Sequence, residues 1–252
     1  LRLDGDGGVW LEQQVNFGRH DPVTLSLWMR PSERNVRAAI VHASGFHTQD
    51  ADASGIELEL VDGHVRWSAI HRWPGSAASI QTRAPLELEQ WTHVVASYDG
   101  SSSASGLRLY VNGALADTQV VRDHLDGPLA GHALEVGSRS RGMGFRNGQL
   151  DELRVWRRAL TQAEVQLVAG ADGIRLEPMS ADMRLQHAVD HDASVVSARE
   201  AWRTAQRALA LHLDAIPAFV CMQHSPWARP TYVLRRGAYD QPDTAQPVQP
   251  GA

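Results

Sequence analysis

The stretch Gly148–Leu167, GQLDELRVWRRALTQAEVQL, decides the fold. An alternating strand opens at Asp151 and runs into Thr161-Gln162-Ala163-Glu164, the S/T-x-x-E pattern in which Thr161 and Glu164 cap a helix start reciprocally. Everything before this segment reads as β, and everything after it as helix or irregular chain. A strand therefore closes one architecture here and a helix seals it. Asp151 is the odd residue. It shares parity with Leu153 and Val155, so unbroken alternation aims its carboxylate toward the side on which they pack.

Upstream, Gly55–Ile70 gives the clearest local geometry. Asp62-Gly63 is a favoured type I′ hairpin pair, flanked by Ile56, Leu58 and Leu60 on one side and Val65, Trp67 and Ala69 on the other. Counting outward pairs Leu60 with Val65, Glu59 with Arg66 and Leu58 with Trp67, so one face is apolar and the other carries a solvated charge pair. Further strands read at Val9–Leu11, Val23–Met29 (stopped by Pro31), Ala38–Ala43, Ser79–Arg83, Thr92–Tyr98, Leu107–Val111 and Ala114–Val121. Asn112-Gly113 marks a second hairpin, and Asp99–Gly106 a connector. Short strands at this spacing without intervening helices predict an all-β, antiparallel two-sheet sandwich over Leu1–Gly170.

Downstream, Gly170-Ala171-Asp172-Gly173 reads as a helix stop. Ala181–Val189 and Val195–Leu213 are rich in helix formers, with Trp202, Leu209 and Leu213 near one face, which predicts a helix hairpin packed on a neighbour. From Ile216 the chain turns proline-bearing and irregular. Ala171–Ala252 is thus a helical linker or hairpin followed by a segment that cannot form an autonomous core.

A net charge of -5 gives no electrostatic reason to expect nucleic acid, and no apolar run is long enough to span a bilayer. Leu1 already sits in a strand-like pattern with no charged-then-apolar leader, so either a targeting segment was removed or the chain is a piece of a longer protein. The single cysteine, Cys221, excludes an internal disulfide, a haem-attachment motif and a cysteine-based zinc cluster within this chain.

Three ordered motifs carry a family resemblance: Trp91-Thr92-His93-Val94-Val95-Ala96-Ser97-Tyr98-Asp99-Gly100, Leu107-Arg108-Leu109-Tyr110-Val111-Asn112-Gly113, and Gly148–Trp156. They resemble the signatures of laminin-G-like, concanavalin A-like jelly-roll domains, which implies two packed sheets with one concave face. Ile70-His71-Arg72-Trp73-Pro74-Gly75 and the Arg229–Pro242 motif, RPTYVLRRGAYDQP, resemble segments of large planctomycete-type proteins. Those combine a cytochrome-c-like module, domains of unknown function and a laminin-G-like insert. The resemblance implies a periplasmic or secreted parent, with the haem module outside this chain and the start of a C-terminal domain of unknown function within 171–252. It implies a non-catalytic module for carbohydrate recognition or interdomain docking, whose partners are a polysaccharide or glycan and other domains of the same parent.

Concanavalin A-like relatives hold a structural calcium through an aspartate at the place of Asp151, helped by carbonyls near an early strand, here Arg19 to Asp21. The resemblance therefore implies a Ca2+ site at Asp151 and Asp21, against the alternative that Asp151 accepts backbone N–H bonds at a strand bulge or pairs with an arginine. Asp50-Ala51-Asp52-Ala53-Ser54-Gly55 begins like an EF-hand loop, but its twelfth position is Val61 and it enters a strand, so it reads as a solvated loop. Glu57 and Glu59 share a strand face at a separation compatible with a retaining glycosidase, the alternative enzyme reading; Asp62 is consumed by the turn and Arg66 faces Glu59. A purely structural insert is the third reading. Trp73 and His71 sit in a Pro-Gly loop where an aromatic can stack on a sugar. Trp10, Trp28, Trp67, Trp91 and Trp156 read as packing residues. His42, His47 and His71 lack a local metal spacing.

Overall fold

In the computed structural model, residues 1–5, 7–15, 17–45, 54–129, 132–139, 143–171, 180–216, 231–234 and 242–248 are described. Two antiparallel sheets face each other. The six-stranded sheet has the order β1 (Arg2–Asp4), β13 (Arg146–Trp156), β3 (Val23–Pro31), β8 (Thr92–Tyr98), β9 (Leu107–Val111) and β10 (Ala114–Leu115). The seven-stranded sheet has the order β11 (Thr118–His124), β7 (Ser76–Thr82), β6 (His64–Arg72), β5 (Ser54–Val61), β4 (Arg37–Gly45), β12 (His132–Val136) and β2 (Val9–Val15). This is the expected jelly-roll sandwich.

Alternation builds the core between the sheets. Leu25, Leu27, Met29, Val94, Ala96, Tyr98 and Leu109 meet Ile40, Ile56, Leu58, Leu60, Trp67 and Ile80 in one buried cluster. Trp67 is fully buried, and its indole N–H donates to Ser97 O at 3.1 Å across the core. The β5–β6 hairpin has the expected register, with Asp62 and Gly63 at φ 51° and 83° as a type I′ turn requires. The second hairpin repeats this at Asn112 and Gly113.

The strand read over Ala114–Val121 is instead two strands in different sheets. Ala116 N–H still donates to Leu109 O of β9, whereas Arg83 N–H donates to Asp117 O, so the chain crosses from one sheet to the other between these residues. Alternation alone carries no signal for such a crossing. β12, only five residues long, escapes the sequence reading altogether.

β13 breaks at a bulge. Leu150 is buried and Leu153 packs against the same core, although they stand an odd three positions apart; Glu152 takes φ 51°, and the register with β3 shifts between Asp151 and Arg154. The parity of Asp151 with Leu153 is therefore lost, and Asp151 is exposed. Trp10 and Trp91, read as packing residues, are also exposed. Trp10 lies on the edge strand β2 and faces away from the core.

The helix α1 (Gln162–Ala171) starts as its capping box predicts: Thr161 N–H donates to Glu164 Oε2 at 2.8 Å and Glu164 N–H to Thr161 Oγ1 at 3.3 Å. Its Val165, with Leu160, packs on Val95 and Tyr110, covering the outer face of the six-stranded sheet. Two more helices follow, α2 (Ala181–Asp190) and α3 (Ala193–Asp214). The expected apolar face of α3 is not covered: Trp202, Leu209 and Leu213 are about half exposed, and Ala210 is the buried one. The chain forms two compact units, Leu1–Asp214 and Ala215–Ala252. In the second unit β14 (Thr231–Leu234) pairs antiparallel with β15 (Pro242–Val248).

Candidate functional site

Antiparallel pairing carries a row of residues straight across the seven-stranded sheet. Trp10 faces Glu135, Glu135 faces His42, His42 faces Glu57, Glu57 faces Ser68, Ser68 faces Ser79, and Ser79 faces Arg122. Directly paired residues project to the same side, here the side away from the core. Six interstrand steps of about 4.8 Å make the row about 29 Å long. The adjacent row contains Ala39, Glu59, Arg66, Gln81 and Gln119.

The centre of this face is charged, yet it is not solvated. Glu57 and Glu59 are 1% and 2% exposed, which corrects the expectation of a solvated charged face. Their burial is compensated by arginines. Arg139 Nη2 lies 2.6 Å from Glu57 Oε1, and Ser44 Oγ donates to the same oxygen at 2.7 Å. Arg37 bridges the two carboxylates, with Nη2 3.6 Å from Glu57 Oε2 and Nε 2.7 Å from Glu59 Oε2. Arg66 Nη1 stands 3.6 Å from Glu59 Oε1 while its Nε and Nη2 donate to Gln81 Oε1. Arg139 comes from the connection after β12; before β13, Met143 O accepts Ala39 N–H of β4.

Burial works to raise the Glu57 carboxyl, but the Arg139 charge, hydrogen bonds from Arg139 and Ser44, and the Arg37 charge together hold it below its ordinary value. A general acid needs the opposite shift. Burial and then the Arg139 charge hold the His42 imidazole below its ordinary value. His42 Nε2 lies 3.0 Å from Ser138 O and 3.5 Å from Glu135 Oε2, and His71 is anchored elsewhere, so these two histidines do not converge.

Trp73 stands at the β11 side of the face. Arg66 and Arg122 place their guanidinium carbons 5.9 and 5.4 Å from its ring centroid, so Arg66 joins the half-buried indole to the carboxylate network. His71 Nδ1 is 2.7 Å from Pro128 O; a carbonyl only accepts, so this nitrogen carries the proton. The sequence candidates Glu57, Glu59 and Trp73 thus belong to one connected system, with His71 pinned beside it.

Asp151 and Asp21 are not brought together. Asp151 faces Trp28, whereas Asp21 precedes Thr24, which faces Trp156. Within β3 the five steps from Val23 to Trp28 span about 17 Å, and Asp21 lies two residues before that stretch. Asp151 Oδ1 accepts Glu152 N–H at 3.0 Å, the bulge alternative. Asp21 Oδ2 accepts Gly18 N–H at 2.8 Å, and its Oδ1 pairs with Arg207 of α3. His47, Cys221, most of the Asp50–Gly55 loop and most of the Arg229–Pro242 motif lie outside the described residues.

Sequence reading missed Arg139 and Trp10. Arg139 sits in a connection with no periodicity to read. The signal for Trp10 was available only through β12, since pairing with Glu135 is what turns it toward the polar face.

The family model described as Concanavalin A-like lectin/glucanases superfamily, of laminin G type, matches residues 3–166. The human adhesion G-protein coupled receptor D1 is 30% identical over 131 residues, which cover 50% of this chain and 13% of the receptor. The match thus spans a small part of that relative's length. Among solved structures, domain 4 of AbnA, a GH43 extracellular arabinanase from Geobacillus stearothermophilus, is similar with 21% identity and a TM-score of 0.50, over 67% of this chain and 75% of that one. The binding domain of Paraclostridial Mosquitocidal Protein 1 gives 18% identity and a TM-score of 0.51, over 68% and 43% of the two chains. These two likenesses concern the fold.

Proposed function

The chain belongs to the concanavalin A-like lectin/glucanase superfamily, and from that membership we propose that it is a non-catalytic glycan-recognition module of a longer exported protein. The observation that carries the reading is Trp73. A half-buried indole with the Arg66 and Arg122 guanidiniums over its ring, at one side of a row of polar side chains, sets donors for sugar hydroxyls beside an aromatic surface. The structural relative from the arabinanase was solved in complex with arabinotriose, which adds support for an oligosaccharide ligand. Among the described residues no helix is long and apolar enough to cross a membrane.

The test is a glycan array followed by calorimetry, with arabinotriose as the first probe. Binding at millimolar concentration or tighter, lost in Trp73→Ala without loss of folding, is the expected result. Absence of binding across a broad polysaccharide panel, or binding indifferent to Trp73→Ala, overturns it. The hydrolase alternative needs a protonated acid, and the charges around Glu57 pull the other way; hydrolysis abolished by Glu57→Gln would revive it.

A second reading, docking onto other domains of a planctomycete-type parent, is favoured by one observation: Trp202, Leu209 and Leu213 of α3 are exposed. Tight binding of the separately expressed neighbouring domains, lost on Leu209→Lys, is its discriminator.

A further inference from the structure

We propose that Glu164, His187 and His191 form a transition-metal site, suited to zinc(II), that clamps α2 onto α1. His187 and His191 stand four residues apart at the C-terminal end of α2, so their rings share one side of the helix. Their centroids are 4.2 Å apart. Glu164 reaches toward them from the first turn of α1, and one ligand atom from each of the three residues lies within 4.8 Å of the others. Two ligands of a tetrahedral zinc stand about 3.4 Å apart, so small side-chain rotations close the site.

The hydrogen bonds around the cluster prepare it for a cation. His191 Nδ1 is 2.8 Å from His187 O, and since a carbonyl only accepts, Nδ1 donates. In the neutral ring that leaves the Nε2 lone pair facing Glu164 Oε1 at 3.2 Å, two acceptors turned toward each other. A metal ion placed between them satisfies both. A ligating histidine ordinarily has its other nitrogen bound to a carbonyl or carboxylate in this way. His187 is steadied through Nδ1, 3.1 Å from Thr161 Oγ1. The second carboxylate oxygen, Oε2, is fixed by Thr161 N–H of the capping box, so Glu164 is oriented before any ion arrives. Arg158 also touches Glu164 Oε1, at 2.6 Å; its side chain is half exposed and can turn outward as the ion enters.

Two imidazole nitrogens and one carboxylate oxygen form a donor set for zinc or its first-row neighbours, not for calcium or magnesium. His191 is exposed, which gives an entry path, and a fourth position stays open to water. The site would do something that packing does not. α1 is anchored by Leu160 and Val165, but α2 has no buried residue, so a metal bridge would supply the cross-link that apolar burial leaves out.

The experiment is zinc titration of the metal-stripped full chain by calorimetry, with cobalt(II) absorption as a spectroscopic readout. One zinc per chain at roughly micromolar affinity or tighter is expected. His187→Gln and His191→Gln should each weaken it by more than the roughly 10–100-fold that loss of an outer-shell partner costs, and remove the cobalt bands. Glu164→Gln keeps a residue competent for the capping box and should weaken zinc without loss of helicity. No uptake at these concentrations, or uptake that survives both histidine variants, overturns the proposal.

Discussion

Arg139 Nη2 lies 2.6 Å from Glu57 Oε1, and both side chains are 1% exposed. Neither charge can fall back on water when the other is removed. Arg139→Ala is therefore expected to destabilise the sandwich by about 3–5 kcal/mol, a fall in Tm of roughly 6–20 °C for a domain of this size. The paired replacement Glu57→Leu with Arg139→Met should recover most of the loss, because an apolar pair of similar volume needs no desolvation. Thermal unfolding of the two variants checks this; a single-site loss under about 1 kcal/mol would mean that the pair is effectively solvated.

That pair marks where sequence reading ends. Most strands of the sandwich, both hairpin turns and the α1 cap followed from alternation, from Asp62-Gly63 and Asn112-Gly113, and from Thr161-Gln162-Ala163-Glu164, because each is set by contacts close in sequence; β12 and the crossing between β10 and β11 did not. The burial of Glu57 and Glu59 did not follow, since it depends on Arg139 arriving from a connection about 80 residues downstream. The bulge at Asp151–Glu152 was hidden for a related reason: a positive φ at Glu152 has no residue signature. In contrast His187 and His191 carry a readable H-x-x-x-H spacing inside a segment rich in helix formers, and what was missing there was Glu164 as the third partner.

His42 links the network to pH. Its unfolded value is 6.5 and burial beside Arg139 lowers the folded one, with Glu135 and Glu57 opposing. Between the two values the unfolded chain binds more protons, so stability rises with pH there. The contribution is fully present above 6.5 and is lost as pH falls through 6.5 toward the lower folded value. His42→Gln should flatten that part of the profile, seen as a smaller drop in Tm between about pH 7 and pH 5. An unchanged slope would show that His42 titrates as an exposed imidazole.

Gly55 is a backbone requirement of the same face. It adopts φ 131°, and a Cβ there would lie 2.1 Å from Ala43 O and 2.9 Å from Ser44 Cα, both backbone atoms of β4. Gly55→Ala must push two paired strands apart as well as strain its own backbone, and is expected to cost on the order of 2–5 kcal/mol. Gly75→Ala, with nothing within 4 Å, is the control and should stay within about 0.5 kcal/mol. Denaturant unfolding with matched slopes distinguishes them; equal midpoints would contradict the geometry.

The separation of Asp151 from Asp21 fixes what calcium should do. A calcium ion gathers six or more oxygens at about 2.3–2.6 Å, whereas Asp151 pairs with Trp28 and Asp21 precedes Val23, the two ends of about 17 Å of β3. Each is otherwise engaged, Asp151 with Glu152 N–H at the bulge and Asp21 with Gly18 N–H and Arg207. Calcium added to metal-stripped protein is therefore expected to leave Tm unchanged through this pair, since a ligand raises Tm only by binding the native state. Asp21→Ala should lower Tm with or without calcium, because it opens the turn before β3 and releases Arg207 of α3. Asp151→Asn should be close to neutral, as an amide oxygen can still accept the Glu152 N–H. A calcium-dependent rise in Tm that both substitutions abolish would show the two aspartates acting on one ion and would overturn this assignment.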